Sequence, residues 1–520
     1  MSDSQPDSPI GGVLLSAKAS NVLDVVIAEA DANEDGLKRT MGPVSLTSIG
    51  VAAVVGAGIF VVTGTAAANH AGPAVILSFV IAGIAALLAA LCYAEIAAMV
   101  PLSGSTYSYA YAALPTIIAW IIGWDLLLEY LFGAANVSVG WAGYATQLLG
   151  DAGIHLPQAI LAGPIADTDG AATGLINLPA VALVAFVTIM LILGTRESAA
   201  ATTIFVGVKL LTLAIFVAFG ITAITASNYS PFIPPRVGDF GGWEGVIAGA
   251  AAVFYSYISF DAVCTGAQEA KNPRRTVPIG IMASLGIATL VYIVVGAVLV
   301  GLTSYANLGV PDALSVALDN AGLHNVGVIV DIGATVGLAA SVLALVFAQT
   351  RILMRMSEDG MLPNVFRKVD VKRGTPVTTI VVCGVGAAIM AGFLPLSTLT
   401  EMISIGTLLA FMIVAAAVIA LRKSKPDLPR PFKVPGGATI PIISIIVSFL
   451  IMLQLDIWTW LRLIVWLVIG GFVYFLYSKK RSQAVIQARL DEHNAWVKER
   501  AEHPGSHSLP PPQTAAPDEG

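Results

Sequence analysis

Val54-Val55-Gly56-Ala57-Gly58-Ile59-Phe60 lies in the middle of the first long apolar segment of the chain. Two glycines one residue apart are costly in the centre of a helix, because glycine surrenders much backbone entropy there. The stretch therefore predicts a helix that breaks at mid-membrane. Such a break leaves amide N–H groups on one side and carbonyls on the other, and both need partners where water is absent. A ligand bearing a carboxylate and an ammonium, as an amino acid does, would satisfy both sets. Read alone, Gly56-Ala57-Gly58 is equally a packing notch that lets two helices approach closely.

The bulk composition sets the environment of that stretch. The 520 residues are 56% hydrophobic and 12% charged, with a mean hydropathy of +0.82; a soluble domain carries roughly twice that charged fraction. Repeated apolar runs predict an all-α polytopic membrane protein. Twelve spans are read, near 44–65, 73–100, 115–149, 179–193, 199–226, 243–268, 278–302, 325–356, 377–394, 399–421, 438–455 and 458–477. With a cytoplasmic N-terminus, the outer loops hold Arg236 and Arg462 and Lys209 is embedded, so 24 of the 27 Lys and Arg residues fall inside. That asymmetry is what the positive-inside rule requires, and it puts both termini in the cytoplasm.

The first 43 residues are polar and hold seven acidic groups, so no cleavable signal peptide is expected. Cys92, Cys264 and Cys383 lie apart inside apolar runs and read as buried hydrophobes. All six histidines are assigned to loops or the tail, which argues against a histidine relay or a metal site. The connections 103–113 and 361–366 are expected as short interfacial helices, and 478–501 as a further helical pattern without assignable chemistry. No basic stripe suggests nucleic acid; the implied surroundings are membrane lipid, and nothing in the composition sets the oligomeric state.

A second anomaly stands five spans after the first. Tyr257-Ile258-Ser259-Phe260-Asp261-Ala262-Val263-Cys264-Thr265-Gly266 places a carboxylate and small or hydroxylated residues inside an apolar run. Two broken helices, the first and the sixth, in two inverted repeats of five helices are one way to build a secondary transporter. The chain then divides into an N-terminal tail (1–43), a first repeat (44–226), a second (243–421), helices 11 and 12 (438–477) and a C-terminal tail (478–520).

Several side chains could carry chemistry. At 1.5 Å per residue, Gly56–Gly58 lie about 18–21 Å into a core of roughly 30 Å. Lys209 sits near 15 Å depth by the same rise. A lysine there is costly when charged, which suits a group that gains and loses a proton; a fixed ion pair with Asp125 or Glu95 is the alternative. Asp125 and Glu129 share one helix face, and either could receive a cationic side chain or a proton. Asp261, inside the second break, could receive freed amides. Glu95, Glu269 and Glu401 lie nearer span ends, where structural or gating pairs are expected, and Asp331 is ambiguous. Tyr255 and Phe260 are core aromatics by default, or close over a ligand. No phosphate loop, nucleophile elbow or metal cluster points to an enzyme. No cofactor is expected, and energy would come from an ion gradient or from exchange.

These residues resemble the amino acid–polyamine–organocation superfamily, and within it the cationic amino acid transporter subfamily. The likeness runs from about residue 37 to 433. It is carried by Gly56-Ala57-Gly58-Ile59-Phe60-Val61 with Thr63-Gly64, Cys92-Tyr93-Ala94-Glu95, Pro101-Leu102-Ser103-Gly104-Ser105 and Gly123-Trp124-Asp125-Leu126. Leu128-Glu129-Tyr130, Val139-Gly140-Trp141, Phe260-Asp261-Ala262-Val263, Gln268-Glu269-Ala270-Lys271-Asn272-Pro273 and Gln349-Thr350-Arg351 complete it. The resemblance implies a LeuT-like fold, twelve spans rather than the animal relatives' fourteen, and L-amino acid transport across the plasma membrane by alternating access. It implies that amides of Gly56, Ala57 and Gly58 hold the substrate carboxylate, and that carbonyls near Val54, Val55, Tyr255 and Ile258 hold its ammonium. Tyr255 would be the aromatic gate, Leu338 a wall of the side-chain pocket, and Lys209 the proton-coupling lysine that reaches the first break. Some relatives carry serine at Ala57, a departure that removes one hydroxyl. The expected activity is proton-coupled symport, with exchange of cationic amino acids, neutralised by Glu129 or Asp261, as the alternative. A non-transporting amino acid sensor is a third reading.

Overall fold

The computed structural model describes residues 41–99, 107, 110–111, 114–165, 173–193, 199–238, 240–260, 263, 270–370, 373–424, 426 and 430–502. Asp261, Cys264 and Glu269 lie outside the described residues, as do most of 103–113 and both tail ends. Among the described residues the chain is helical, and the only β contacts are isolated bridges such as Met41 with Ala270. Seven helices are long and apolar enough to cross a membrane, and three shorter apolar helices accompany them.

In chain order the principal helices are α1 (Pro43–Val54), α2 (58–71), α3 (Val75–Met99), α4 (Thr116–Asp151), α5 (Leu178–Ile192), α6 (Ala199–Gly220), α7 (Gly242–Val253) and α8 (Pro273–Leu302). They continue as α9 (Ala313–Asn320), α10 (His324–Glu358), α11 (Val377–Phe393), α12 (Leu396–Ser424), α13 (Thr439–Met452), α14 (Ile457–Val473) and α15 (Lys479–Glu502). Local chemistry sets many of these ends. Pro43 and Pro273 open α1 and α8, where proline's missing N–H costs nothing. The Asn177 side chain caps α5 by accepting from Ala180 N at 3.1 Å. Gly72, at φ 57°, ends α2 in a conformation that L side chains rarely adopt.

The long helices α4 and α10 pack along each other, and α8 packs on α3 and α1. Their shared interior is dry and small-residue-rich: Ala82, Ala85, Ala86, Ala89 and Ala90 of α3 are all buried, which lets backbones approach where lipid gives helices no hydrophobic reason to associate. On α4, Trp120 donates to Gly470 O (2.9 Å) and Trp124 to Trp466 O (2.8 Å), while Trp466 donates back to Trp124 O (3.0 Å). These reciprocal indole bonds pin α14 to α4.

Two buried ionic clusters close one end of the bundle. Glu95 accepts from Arg422 through both guanidinium arms, one of them Nε at 2.8 Å, and from Val434 N at 2.7 Å, with Arg430 at 3.6 Å. Asp359 accepts from Tyr107 OH (2.9 Å) and pairs with Arg489 of α15 at 2.9 Å. The C-terminal pattern thus has a structural role that its composition did not reveal. The histidine assignment is corrected here as well. His70 is in α2, His324 opens α10, and His493 lies buried in α15. The connection expected as an interfacial helix at 361–366 forms only a short 3-10 turn, Asn364–Arg367, because the φ 72° of Gly360 and then Pro363 interrupt helical hydrogen bonding.

Replacing Glu95 by alanine leaves two arginines facing each other without their carboxylate. We expect a loss on the order of 3 kcal/mol or more, read as a lowered thermal midpoint of the purified protein. Glu95→Gln should lose less, because it keeps an acceptor for one guanidinium.

Candidate functional site

The first break is where the sequence places it. Val55 N–H still closes the last turn of α1 onto Val51 O (2.8 Å), but Val55 itself is extended, at φ −73° and ψ 91°. The chain regains helical dihedrals at Ala57, and a wide π-type turn runs over Gly58–Val62. Of the amides at its start, Ile59 N–H bonds back to Gly56 O at 3.3 Å, whereas those of Gly56, Ala57 and Gly58 precede every carbonyl of the turn. On the other side, Val54 O accepts from Tyr292 OH of α8 at 2.6 Å. Tyr144 OH of α4 donates to Phe60 O at 2.6 Å and fixes the second half of the break.

The sixth segment breaks in a different way. Helix α7 tightens into a 3-10 turn over Phe254–Tyr257, Ile258 is extended (ψ 158°), and Ser259 takes φ 69°. A serine in that left-handed region carries backbone strain, and such strain persists only where the surroundings impose it. Gly58 brings the two breaks into contact: a Cβ built there would lie 2.3 Å from Ser256 Oγ and 2.4 Å from Ser256 Cα. Tyr292 OH also reaches Ser256 O at 2.7 Å. One hydroxyl therefore sits between the carbonyls of both broken ends, with a single proton to share between them.

Val54, Val55, Gly56, Ala57 and Gly58 are thus assembled beside the stretch that holds Tyr255 and Ile258. Tyr255 is buried, and the Glu129 carboxylate of α4 is within electrostatic reach of its hydroxyl. Phe260 lies in a closed aromatic cluster, 5.1 Å from Tyr93 and 5.3 Å from Phe411 between ring centroids. Lys209 lies along α10, its stem against Gly337 and its Nζ donating to Ser341 Oγ at 2.7 Å. Leu338 is the next residue on that helix and is fully buried. Among the described residues Lys209 makes no ion pair. The alternative pairing with Asp125 or Glu95 is not formed, because Glu95 is engaged by Arg422 and Arg430 and the lysine is held by α10. Its hydrogen bond runs to α10 and not to residues 54–58.

A cavity of about 750 Å³ opens beside these breaks, lined by Val62 and Asn69 of α2, Val139 and Gln147 of α4, Asp312 and Glu401. Gly56, Ala57, Gly58, Tyr255 and Ile258 do not line it, so a buried layer separates the cavity from the breaks. Burial pushes the carboxyl of Asp312, in the loop before α9, above its usual range. Asp331 is fully buried and accepts from Ser315 Oγ of α9 at 2.7 Å, which ties that short helix to α10.

Sequence reasoning passed over Tyr292, Tyr144 and Ser256. A tyrosine or serine in an apolar run is ordinary, and only the folded arrangement aims these hydroxyls at the breaks. Gly58→Ala should force the seam apart and weaken ligand binding by at least about tenfold, the usual scale of overpacking. Gly56→Ala, whose Cβ would meet nothing nearer than 3.9 Å, should change binding far less. Isothermal titration of both variants measures the contrast.

The family model described as amino acid permease matches residues 41–473. The branched-chain amino acid permease BcaP of Bacillus subtilis (strain 168) is 43% identical over 470 residues, covering 90% of this chain and 98% of that protein. A methylthioribose transporter of the same organism is 41% identical over 454 residues, covering 87% and 96%. The vacuolar cationic amino acid transporter 4 of Arabidopsis thaliana is 37% identical over 393 residues, covering 75% of this chain and 64% of that protein. These relatives are named as transporters and permeases, not enzymes. The chain is a multi-pass membrane protein that belongs to the amino acid permease family of the amino acid–polyamine–organocation superfamily.

Proposed function

We propose that the chain is a secondary active transporter that moves L-amino acids across the plasma membrane by alternating access, driven by the proton gradient. The observation that carries this reading is the seam at Gly58 and Ser256. Two interrupted helices meet there, and a carbonyl from each broken end, Val54 O and Ser256 O, faces the same hydroxyl of Tyr292. The amides of Gly56, Ala57 and Gly58 take the carboxylate. Carbonyls near Val54, Val55, Tyr255 and Ile258 take the ammonium in place of Tyr292's single proton. Tyr255 closes over the ligand, Leu338 bounds its side chain, and Phe260 belongs to the aromatic layer beneath. Asp261 follows directly in sequence and is carried in this reading as a candidate for the ammonium or a cationic side chain.

In this reading each break lies within a single crossing, so the chain has twelve spans in a 5+5 arrangement with both termini cytoplasmic. The repeats comprise residues 44–226 and 243–421, and 438–477 form the last two spans. The cavity lined by Asn69, Gln147, Asp312 and Glu401 is then the outer vestibule. A buried layer separates it from the seat, which in this reading the Tyr93, Phe260 and Phe411 cluster closes from the cytoplasmic side. Lys209 is the coupling group: it is buried, holds a hydroxyl rather than a carboxylate, and so exchanges a proton without breaking an ion pair. No cofactor enters this mechanism.

A second reading is supported by Glu129, a buried carboxylate of α4 within electrostatic range of Tyr255, and by the name of the Arabidopsis relative. Here the chain exchanges cationic amino acids, and Glu129 neutralises the side chain.

Lys209→Ala in proteoliposomes should abolish pH-driven uptake while leaving counterflow measurable. Full pH-driven uptake by that variant would sink the coupling role. Uptake of labelled leucine, alanine, arginine and methylthioribose, with and without a proton gradient, separates the readings. Symport requires gradient-dependent accumulation of a neutral amino acid, whereas exchange requires arginine counterflow that Glu129→Gln reduces at least about tenfold, the scale of a lost hydrogen bond to charge.

A further inference from the structure

The seam holds a polar atom that the substrate seat described above leaves out. Ser256 is 2% exposed, and its Oγ has no hydrogen-bond partner among the described residues. Hydroxyls on membrane helices ordinarily bond back to a carbonyl one turn earlier. Ser138 does so to Ala134 O at 2.7 Å, and Thr407 to Ile403 O at 2.9 Å. Ser256 does not, because it sits in the 3-10 turn that precedes the break. A buried hydroxyl left unpaired is disfavoured, and each such group in a native structure asks for a reason.

Its surroundings point to one. The Oγ lies against Gly58, at the start of the π-type turn, where Ile59 N–H is taken by Gly56 O but the amides of Gly56, Ala57 and Gly58 precede every carbonyl of the turn. The nearby carbonyls of Val54 and Ser256 are both addressed by Tyr292 OH. What converges beside Gly58 is therefore a set of donors short of an acceptor, and its natural complement is an anion with two oxygens.

We propose that Ser256 is a specificity-determining residue whose Oγ–H donates to the α-carboxylate of the substrate seated on the Gly56–Gly58 amides. The inference rests on the amino acid reading given above. The hydroxyl would let the second broken helix sense the carboxylate as well as the ammonium, so that one ligand holds both breaks.

The test compares the full-length protein with Ser256→Ala. Affinity for L-leucine, L-alanine and L-arginine is measured by titration, then affinity for the methyl ester of whichever binds most tightly, alongside the ligand-free thermal midpoint. Ser256→Ala should leave that midpoint unchanged or raise it, since it removes an unpaired buried hydroxyl. It should weaken the amino acid at least about tenfold, the scale of one hydrogen bond to a charged group, and leave the weaker methyl ester nearly unaffected. Equal weakening of acid and ester, or unchanged affinity for the acid, overturns the inference and leaves the transporter reading standing. If the unaltered protein binds none of the three amino acids, the amino acid reading fails and takes this inference with it. Should Ser256→Ala not fold, Ser256→Cys, a weaker donor of similar reach, carries the same comparison and should weaken the amino acid while leaving the methyl ester nearly unaffected.

Discussion

In a bilayer a backbone amide or carbonyl without a partner finds no water to take it. Most of this structure is the usual answer, apolar helices that bond their own backbone internally. The two interruptions are the exception on which the rest depends. At Val55 and Ile258 the helical ladder stops, and the freed groups must be matched by side chains, by each other or by a ligand. The fold supplies part of the match. Tyr292 reaches Val54 O and Ser256 O, and Tyr144 reaches Phe60 O. Each of these phenols comes from an unbroken helix, so α8 and α4 act as supports for the seam between them.

The supports are themselves held by interactions suited to a dry interior. The tryptophans of α4 and α14 exchange indole hydrogen bonds with backbone carbonyls, and small residues let α3 come close to its neighbours. The ionic clusters around Glu95 and Asp359 stand at the C-terminal ends of α3 and α10. Both join elements far apart in sequence: Glu95 of α3 with Arg422 of α12, and Asp359 beyond α10 with Arg489 of α15. A buried pair is weak evidence for net stability but costly to break. Its consequence here is geometric, since it ties the C-terminal helix and α12 to the ends of α10 and α3. Any displacement of α12 or α15 relative to α3 or α10 must carry these clusters along or part them.

Lys209 shows how burial and partner choice are separable. Its position in an apolar run marks it as a costly cation, yet its partner was undetermined by spacing. A carboxylate partner would have locked it as an ion pair. The hydroxyl of Ser341, presented one turn along from Gly337, holds the Nζ without neutralising it, and the absence of a side chain at Gly337 leaves room for the lysine's stem to lie flat on α10.

Composition and periodicity alone determine the helical membrane class, the approximate extents of the apolar helices and the first break, because hydropathy and glycine placement act through local backbone energetics. Gly56-Ala57-Gly58 breaks its helix where expected, and the second interruption falls within the anomalous stretch after Tyr257, although Asp261 itself lies outside the described residues. Tertiary structure alone decides that Gly58 touches Ser256, that Tyr292 spans both broken ends, that Glu95 belongs to Arg422, and that 478–502 docks through Arg489 instead of trailing as a tail. These are contacts between residues dozens to hundreds of positions apart. Hydroxyls and arginines carry the same local signal whether they face lipid headgroups, a neighbour or a ligand, and only packing in three dimensions removes that ambiguity.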